Sequence, residues 1–251
     1  MQNLILHQLG TADFDHLKGL LVARELPRGT VLELPGAPVS HAHFLETGFV
    51  SVLLTVGRHT SEVGLVGREG MLGVPAVLGS PVASYRAVVR EDARTLEIPV
   101  EKLRAVMGER RTVWASLLRY MQAGVAQITH TAFANAQLNI PQRLARWLLM
   151  AHDRIDRDTL QITHGVLSDA LGVRRPGVTL ALHELEGEGA IRSRPRAITI
   201  LDRGRLERRC EGAYGPAERA YRALFGQAFS RGETQQPPDE ESPTYPRPTP
   251  S

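Results

Sequence analysis

The sequence predicts an α+β chain in three parts: an N-terminal antiparallel, jelly-roll-like β-roll, a long helix, and a C-terminal helical domain closed by a β-hairpin. Three observations carry that prediction. Glycines punctuate short apolar runs up to Pro99, the apolar period turns from strand-like to helical at that proline, and a glycine-broken pair of amphipathic segments follows near the end. With 42% hydrophobic residues among 251, the chain has the apolar side chains to build a sizeable core.

In the roll, Gly29, Gly36, Gly48, Gly57, Gly64, Gly67, Gly70, Gly73 and Gly79 separate runs that read as strands over 30–34, 49–56, 62–66, 87–89 and 95–98. A small helix is expected ahead of them, over 13–23, and another over 100–107. The long helix comes next. Trp114, Leu118, Met121, Val125, Ile128, Ala132 and Asn135 are spaced 4, 3, 4, 3, 4 and 3 residues apart, an a/d seam of about three heptads. Such a stripe can lie on its own domain or against a second copy, and the sustained 3.5 period favours the second copy. After Asn139 a new helix is expected, with Pro141 in its first turn and Ile140, Leu144, Trp147, Leu148 and Ala151 on its apolar face. Residues 206–229 are helical in pattern. From Ser230 the composition turns to Pro, Glu, Gln, Ser and Thr, which predicts disorder. The expected division is therefore 1–105 roll, 106–138 dimerisation helix, 139–229 helical domain and 230–251 tail.

Composition excludes several classes of protein. No run approaches the roughly 18 apolar residues of a membrane-spanning helix. Met1–Gly10 has no positive charge before its apolar patch, which argues against a secretory signal. Cys210 is the only cysteine, so an internal disulfide, a thiolate zinc site and a four-cysteine iron–sulfur cluster are all out of reach. A cytoplasmic protein without a membrane partner is expected. The net charge of +3 is modest, and Lys18 and Lys102 are the only lysines. The remaining basic residues are arginines, as a GC-rich genome produces; their planar fork also suits phosphates and guanine edges.

Residues 163–190 carry the functional signal. Thr163 is an N-cap, Leu167 and Leu171 face inward from a short helix, Gly172 permits a left-handed turn and Val173 plugs the angle. Val178, Ala181, Leu182 and Leu185 then face inward from a second helix that Gly187 and Gly189 stop. This is a helix-turn-helix, and the hairpin expected over 190–202, with Arg192, Arg194 and Arg196 at or near its tip, makes it a winged one. Arg174 and Arg175 open the second helix, where a recognition helix meets base edges in the major groove. The wing arginines suit phosphates. His164 stands where it would touch a phosphate.

This order of parts resembles the Crp/Fnr transcription regulators over about residues 14–210. The matching stretches are GTVLELPGAP and FLETGFVSVLL in the roll, PQRLARWLLM after the long helix, and ITHGVLSDALGVRRPGVTLALHELEGEGAI. The resemblance implies a homodimer on double-stranded DNA at an inverted repeat, working with RNA polymerase where it activates, and no catalytic activity. The family's recognition helix usually reads Ser-Arg-Glu-Thr-Val, against which Arg174, Arg175, Pro176, Gly177 and Val178 align. Arg175 matches the guanine-reading arginine, Pro176 replaces the base-reading glutamate, Leu180 replaces a further arginine, and Thr179 is left as an extra polar contact. Gly177 would let the backbone approach a phosphate.

In nucleotide-responsive members, a glutamate takes the ribose hydroxyl and an arginine the cyclic phosphate. Here Leu72, Gly73, Val74 and Pro75 align with the first element and Tyr85, Arg86 and Ala87 with the second, so valine replaces the glutamate and tyrosine the arginine. Arg86 falls one residue late, on the opposite strand face. No usual cyclic AMP response and no cofactor are expected; Gly73, Tyr85 and Arg86 are the candidates for an unidentified effector.

Two rival readings follow from other residues. Gly36, His41, His43 and Glu46 stand in the order of a cupin-like metal enzyme, although their flanking spacings are short and no second half follows. Pro176 and Gly177 would weaken the recognition helix, as in an interaction module that no longer touches DNA. Cys210 is read as a packing residue at a helix start, Trp114 and Trp147 as seam or core anchors, and Glu184, Glu186 and Glu188 as a solvated helix end whose charge repels phosphates.

Overall fold

The computed structural model describes residues 1–231, so nearly all of the tail expected from 230 lies outside the described residues. The chain opens with α1 (Leu4–His7) and α2 (Thr11–Lys18). The roll follows as β1 (Val22–Leu26), β2 (Val31–Glu33), β3 (His41–Leu45), β4 (Phe49–Val56), β5 (His59–Val66), β6 (Met71–Leu72), the short helix α3 (Val74–Val77), β7 (Arg86–Glu91) and β8 (Ala93–Pro99). Two four-stranded antiparallel sheets, ordered β1-β8-β3-β6 and β2-β7-β4-β5, share a core in which Leu45, Leu72 and Ala93 of one meet Val50, Val66 and Val89 of the other.

Three local expectations change. The helix expected over 13–23 stops at Lys18, and Val22 and Ala23 instead begin β1, paired with Glu97 and Leu96. The β domain thus starts at Val22 and not at Gly29, because the edge of β8 offers backbone partners that outweigh a weak helical pattern. A strand also forms outside the expected runs: His41 and His43 lie on β3, between β8 and β6. Residues 206–229 form two helices, because Glu211, Gly212 and Gly215 take positive φ and break the chain between them.

Beyond the roll lie α4 (Val100–Glu109) and α5 (Arg111–Gln137), the latter 27 residues and about 40 Å long. One stripe of α5, with Val113, Leu117 and Ala123, is buried; another, with Trp114, Leu118, Val125 and Ile128, is exposed. The C-terminal half contains α6 (Ile140–His152), β9 (Thr159–Leu160), α7 (His164–Leu171), α8 (Arg175–Gly187), β10 (Ile191–Arg194), β11 (Ala197–Ile200), α9 (Arg203–Arg209) and α10 (Pro216–Phe225). Helix α6 is its hub. Asn139 caps it in a reciprocal box: its side chain accepts from the Gln142 amide at 3.0 Å and Gln142 accepts from the Asn139 amide at 3.0 Å. Apart from its first residues α6 is almost wholly buried, and α8 and α9 pack on it.

Trp147 of α6 joins the two halves. Its ring meets Phe49 of the roll edge-on at 6.4 Å, and its Nε1 donates to Glu62 Oε1 at 2.7 Å. Burial pushes the Glu62 carboxyl up to about 7, against the hydrogen bonds from Ser51 and Trp147 that hold it down. The folded chain therefore binds this proton more tightly than the unfolded chain. The resulting stability is complete below the ordinary glutamate range and is lost as pH rises through about 7. The Glu62 carboxyl should account for a loss of about 2 kcal/mol in urea unfolding between about pH 5 and about pH 8. Glu62→Gln, which keeps an acceptor for Trp147, should remove most of that fall. Superimposable pH profiles would disprove the assignment to Glu62.

Candidate nucleic-acid interface

Thr163 caps α7, its Oγ1 accepting from the Val166 amide at 3.3 Å. At the other end Gly172 has φ +63, and the turn is tied down by Ser168 donating to the Val173 carbonyl and Arg143 to the Leu171 carbonyl. A Cβ on Gly172 would stand 3.3 Å from Ser61 Oγ, so the turn of the motif rests on β5. From α8, Val178, Ala181, Leu182 and Leu185 are buried in the C-terminal core, the inward set expected.

Arg174, Arg175, Pro176, Leu180 and His183 are exposed on α8, Leu180 at 65%. Pro176 sits in the first turn, where no intrahelical N–H is needed, and α8 runs unbroken to Gly187. Gly177 does not face outward: a Cβ there would meet Ile140 Cδ1 at 3.2 Å, so its lack of a side chain lets α8 close on α6. That placement replaces the expected approach to a phosphate. It also removes the observation behind a defective recognition helix. Thr179 is half-buried, donates to the Arg175 carbonyl at 3.1 Å, and lies 3.4 Å from His164 Nδ1.

The wing is β10 and β11 joined by Pro195 and Arg196, with β9 on its outer side. Arg196 holds φ +62, a left-handed conformation uncommon outside glycine. Glu186 Oε1 accepts from the Ser193 amide at 2.9 Å, fastening the wing to α8. Thr163, His164, Arg175, Arg194 and Arg196 come together around an open cleft of about 620 Å³ between the starts of α7 and α8 and the wing tip. Arg174 and Arg192 are exposed outside that cleft, Arg192 on the strand and not at the tip. Among the described residues none of these five arginines makes an ion pair, whereas Arg209 pairs with Glu184 at 2.9 Å and Glu188 at 3.6 Å. The three glutamates are therefore engaged with Arg209 and the wing, not merely solvated as their sequence suggests.

The expected seam residues Trp114, Leu118, Val125, Ile128 and Ala132 share an exposed face of α5, and Met121 is half-buried at its edge. Phe133, 55% exposed, adds to this face; it falls off the strict heptad, and only its size signals it.

In the roll, the nucleotide-cassette positions are taken up internally. Gly73, at φ +88, faces Ala42 Cα and the His41 carbonyl so closely that a Cβ would stand 2.8 Å from each. Its N–H donates to Glu33 Oε1 at 2.7 Å. Burial raises the Glu33 carboxyl, while the bond from Gly73 and the nearby Tyr85 hydroxyl lower it; Oε2 itself has no hydrogen-bond partner. A buried carboxyl group thus holds the Gly73 amide, and Tyr85 lies beside it. Sequence reading missed Glu33, a polar residue at the end of an apolar strand. Arg86 is exposed, and Tyr85 lines an apolar cavity under α5.

His41 and His43 share a face of β3 with ring centroids 6.4 Å apart, but Glu46 is directed to Arg94, 2.8 Å away, and to the Gln2 amide. Among the described residues no group of three or more His, Cys, Asp or Glu could hold a metal. The cupin-like set is not assembled. Cys210 lies at the end of α9, not at a helix start, and burial pushes its thiol up to about 12, which fits packing. No helix among the described residues is long and apolar enough to cross a membrane.

Two family models match the chain: the cyclic nucleotide-binding domain over residues 23–110 and the Crp-like helix-turn-helix domain over residues 142–209. A global nitrogen regulator of Nostoc sp. is 24% identical over 191 residues, covering 71% of this chain and 85% of its own. A solved transcriptional regulator of the Crp/Fnr family from Eubacterium rectale aligns with a TM-score of 0.67 at 20% identity, over 82% of this chain and 97% of its own. A CRP-family regulator from Thermus thermophilus aligns with a TM-score of 0.63 at 22% identity, over 77% and 99% respectively.

The turn at Gly172 gives a direct test. Gly172→Ala should cost about 1–2 kcal/mol from the left-handed backbone alone. Gly187→Ala, where an added Cβ meets nothing within 4 Å, should cost nothing measurable in the same thermal unfolding assay. Equal melting temperatures for the two variants would refute the strained turn.

Proposed function

Because this chain belongs to the Crp/Fnr family of DNA-binding transcription regulators, we propose that it acts as a cytoplasmic homodimer on double-stranded DNA at an inverted repeat, with no usual response to cyclic AMP. The carrying observation is the set of unpaired arginines around the start of α8 and the wing, beside arginines elsewhere that are paired. Paired α8 helices enter successive major grooves about one helical turn, or about 34 Å, apart. Arg175 reads a guanine edge, with Arg174 and Thr179 beside it. Pro176 contacts no base in the manner of the glutamate it replaces. Leu180 offers an apolar contact of the kind made to a thymine methyl. Thr163, His164, Arg194 and Arg196 take the phosphate backbone across the cleft, and Arg192 adds charge along the strand. The exposed stripe of α5 joins the two copies, through Trp114, Leu118, Met121, Val125, Ile128 and Ala132. The domain division expected from sequence, with a sensor up to 105, a dimerisation helix over 106–138 and a DNA-binding domain over 139–229, stands with this proposal, as does contact with RNA polymerase where the regulator activates.

Purified protein at physiological salt should enrich an inverted-repeat motif from genomic fragments equally with and without cyclic AMP. Enrichment only with the nucleotide would overturn the reading of Glu33 and Tyr85, and none in either condition would overturn DNA binding. Arg175→Ala should cost about 1–3 kcal/mol on the selected site and little on random DNA. Arg194→Ala with Arg196→Ala should weaken both alike and flatten the slope of log K against log salt by about 1 per arginine. Equal losses on both DNAs for Arg175→Ala would overturn this division of labour. Val125→Glu with Ile128→Glu should sediment as a monomer; an unchanged dimer would remove α5 as the seam.

A further inference from the structure

Beyond Arg209, where the matched helix-turn-helix domain ends, the chain turns back across the whole molecule. Helix α10 lies along α5. Tyr221 stacks on Phe225 at 4.5 Å and meets Phe229 edge-on at 4.8 Å. The Tyr221 hydroxyl donates to the Glu69 carbonyl of the roll at 3.0 Å, and the Gln8 side chain donates to the Phe225 carbonyl. Phe229 lies 5.1 Å from the Arg154 guanidinium. Arg231 returns to the C-terminal half, its amide donating to Asp153 Oδ1 and its Nη1 to Asp158 Oδ1, each at 3.0 Å. One segment thus touches the roll, the long helix and the DNA-binding half.

The same segment walls the cavity under α5. A half-open cleft of about 340 Å³ is lined by residues such as Val63 and Leu78 of the roll, Met121 and Ile128 of α5, and Tyr221 and Phe229 of the extension. Apart from Glu69 Oε2, which is buried without a hydrogen-bond partner, the polar groups at its walls are engaged elsewhere. The Tyr120 hydroxyl donates to the Met71 carbonyl at 2.9 Å, Gln127 accepts from the Leu65 amide at 2.8 Å, Glu218 accepts from the Gly215 amide at 2.9 Å, and Glu69 pairs with Arg154 at 2.8 Å. A phosphate here would face the carboxylates of Glu69 and Glu218, and the guanidinium nearby already belongs to Glu69.

We propose that residues 215–231 form a strap completing a binding site for a neutral, predominantly apolar molecule, so that filling the site fastens the strap and the DNA-binding half to the roll. This rests on the roll being the sensor, yet both site and strap are testable without DNA. Each apolar wall contributes by area removed from water, so deleting the Phe229 ring removes part of the site itself. A ligand that binds only the strapped form stabilises that form by mass action.

The test uses full-length protein and N-phenyl-1-naphthylamine, a neutral two-part aromatic whose fluorescence rises in apolar surroundings. Limited trypsin cleavage after Arg219, in α10, reports release of the strap. The dye should saturate at one molecule per chain and slow that cleavage about fivefold. Cyclic AMP should neither displace the dye nor protect the strap. Phe229→Ala should weaken the dye about tenfold and abolish protection. Tyr221→Phe, which keeps the ring and loses the bond to Glu69, should speed cleavage of the ligand-free chain and leave dye affinity nearly unchanged. Absence of saturable binding overturns the site; binding with no change in cleavage, or wild-type cleavage of Tyr221→Phe, overturns the strap. DNA enrichment measured on the same preparation separates the readings. Failure of the dye assays with DNA binding intact removes only the strap and its site, and the reverse removes only the regulator.

Discussion

The Arg154 guanidinium is the constraint around which the rest of the chain is arranged. Its side chain is wholly buried, and a charge in that position must be paired and hydrogen-bonded to persist. Nε and Nη2 reach Glu69 Oε1 at 2.9 and 2.8 Å, Nη1 donates to the Met150 carbonyl at 2.6 Å, and the Phe229 ring lies against it. These partners come from the roll, from α6 and from the C-terminal extension. Satisfying one buried cation therefore sets how three parts of the chain meet, and Trp147 with Glu62 repeats the connection a short way off. Glu69 itself is buried, so the pair cannot be relaxed from one side without stranding a charge.

Arginine carries almost all the positive charge of this chain, and the fold sorts it by partner. Arg154, Arg203 and Arg209 are neutralised by Glu69, Asp153 and Glu184 and serve the interior or the domain joints. Arg174, Arg175, Arg192, Arg194 and Arg196 are exposed together at one end, where a polyanion would supply the missing counter-charge. The roll has moved in the opposite direction. Glu33 occupies the Gly73 amide, Tyr85 turns to Glu33, and the space beneath α5 is left hydrocarbon-lined.

Much of this was legible in the residues because it rests on local chemistry. The helix start after Asn139, the Thr163 cap, the Gly172 turn and the spacing of Val178, Ala181, Leu182 and Leu185 each involve groups within a few positions of one another. The apolar stripe of α5 was legible for the same reason, through its period. What escaped were features whose partners are distant in sequence. Val22 and Ala23 join a strand because β8 lies beside them, Gly177 is small because Ile140 presses on it, and Glu33 is buried because Gly73 and Tyr85 arrive from far along the chain.

The order of parts and the helix-turn-helix with its basic wing follow from the residues themselves, since each is written in periodicity, turn chemistry or residue type. Only the tertiary structure shows which arginines at the wing and the start of α8 make no ion pair, which carboxylate holds the Gly73 amide, and how the C-terminal segment comes to line the cleft under α5. Those outcomes depend on burial and on pairing across long separations, where the desolvation of a charge, not the preference of a neighbouring residue, selects the partner.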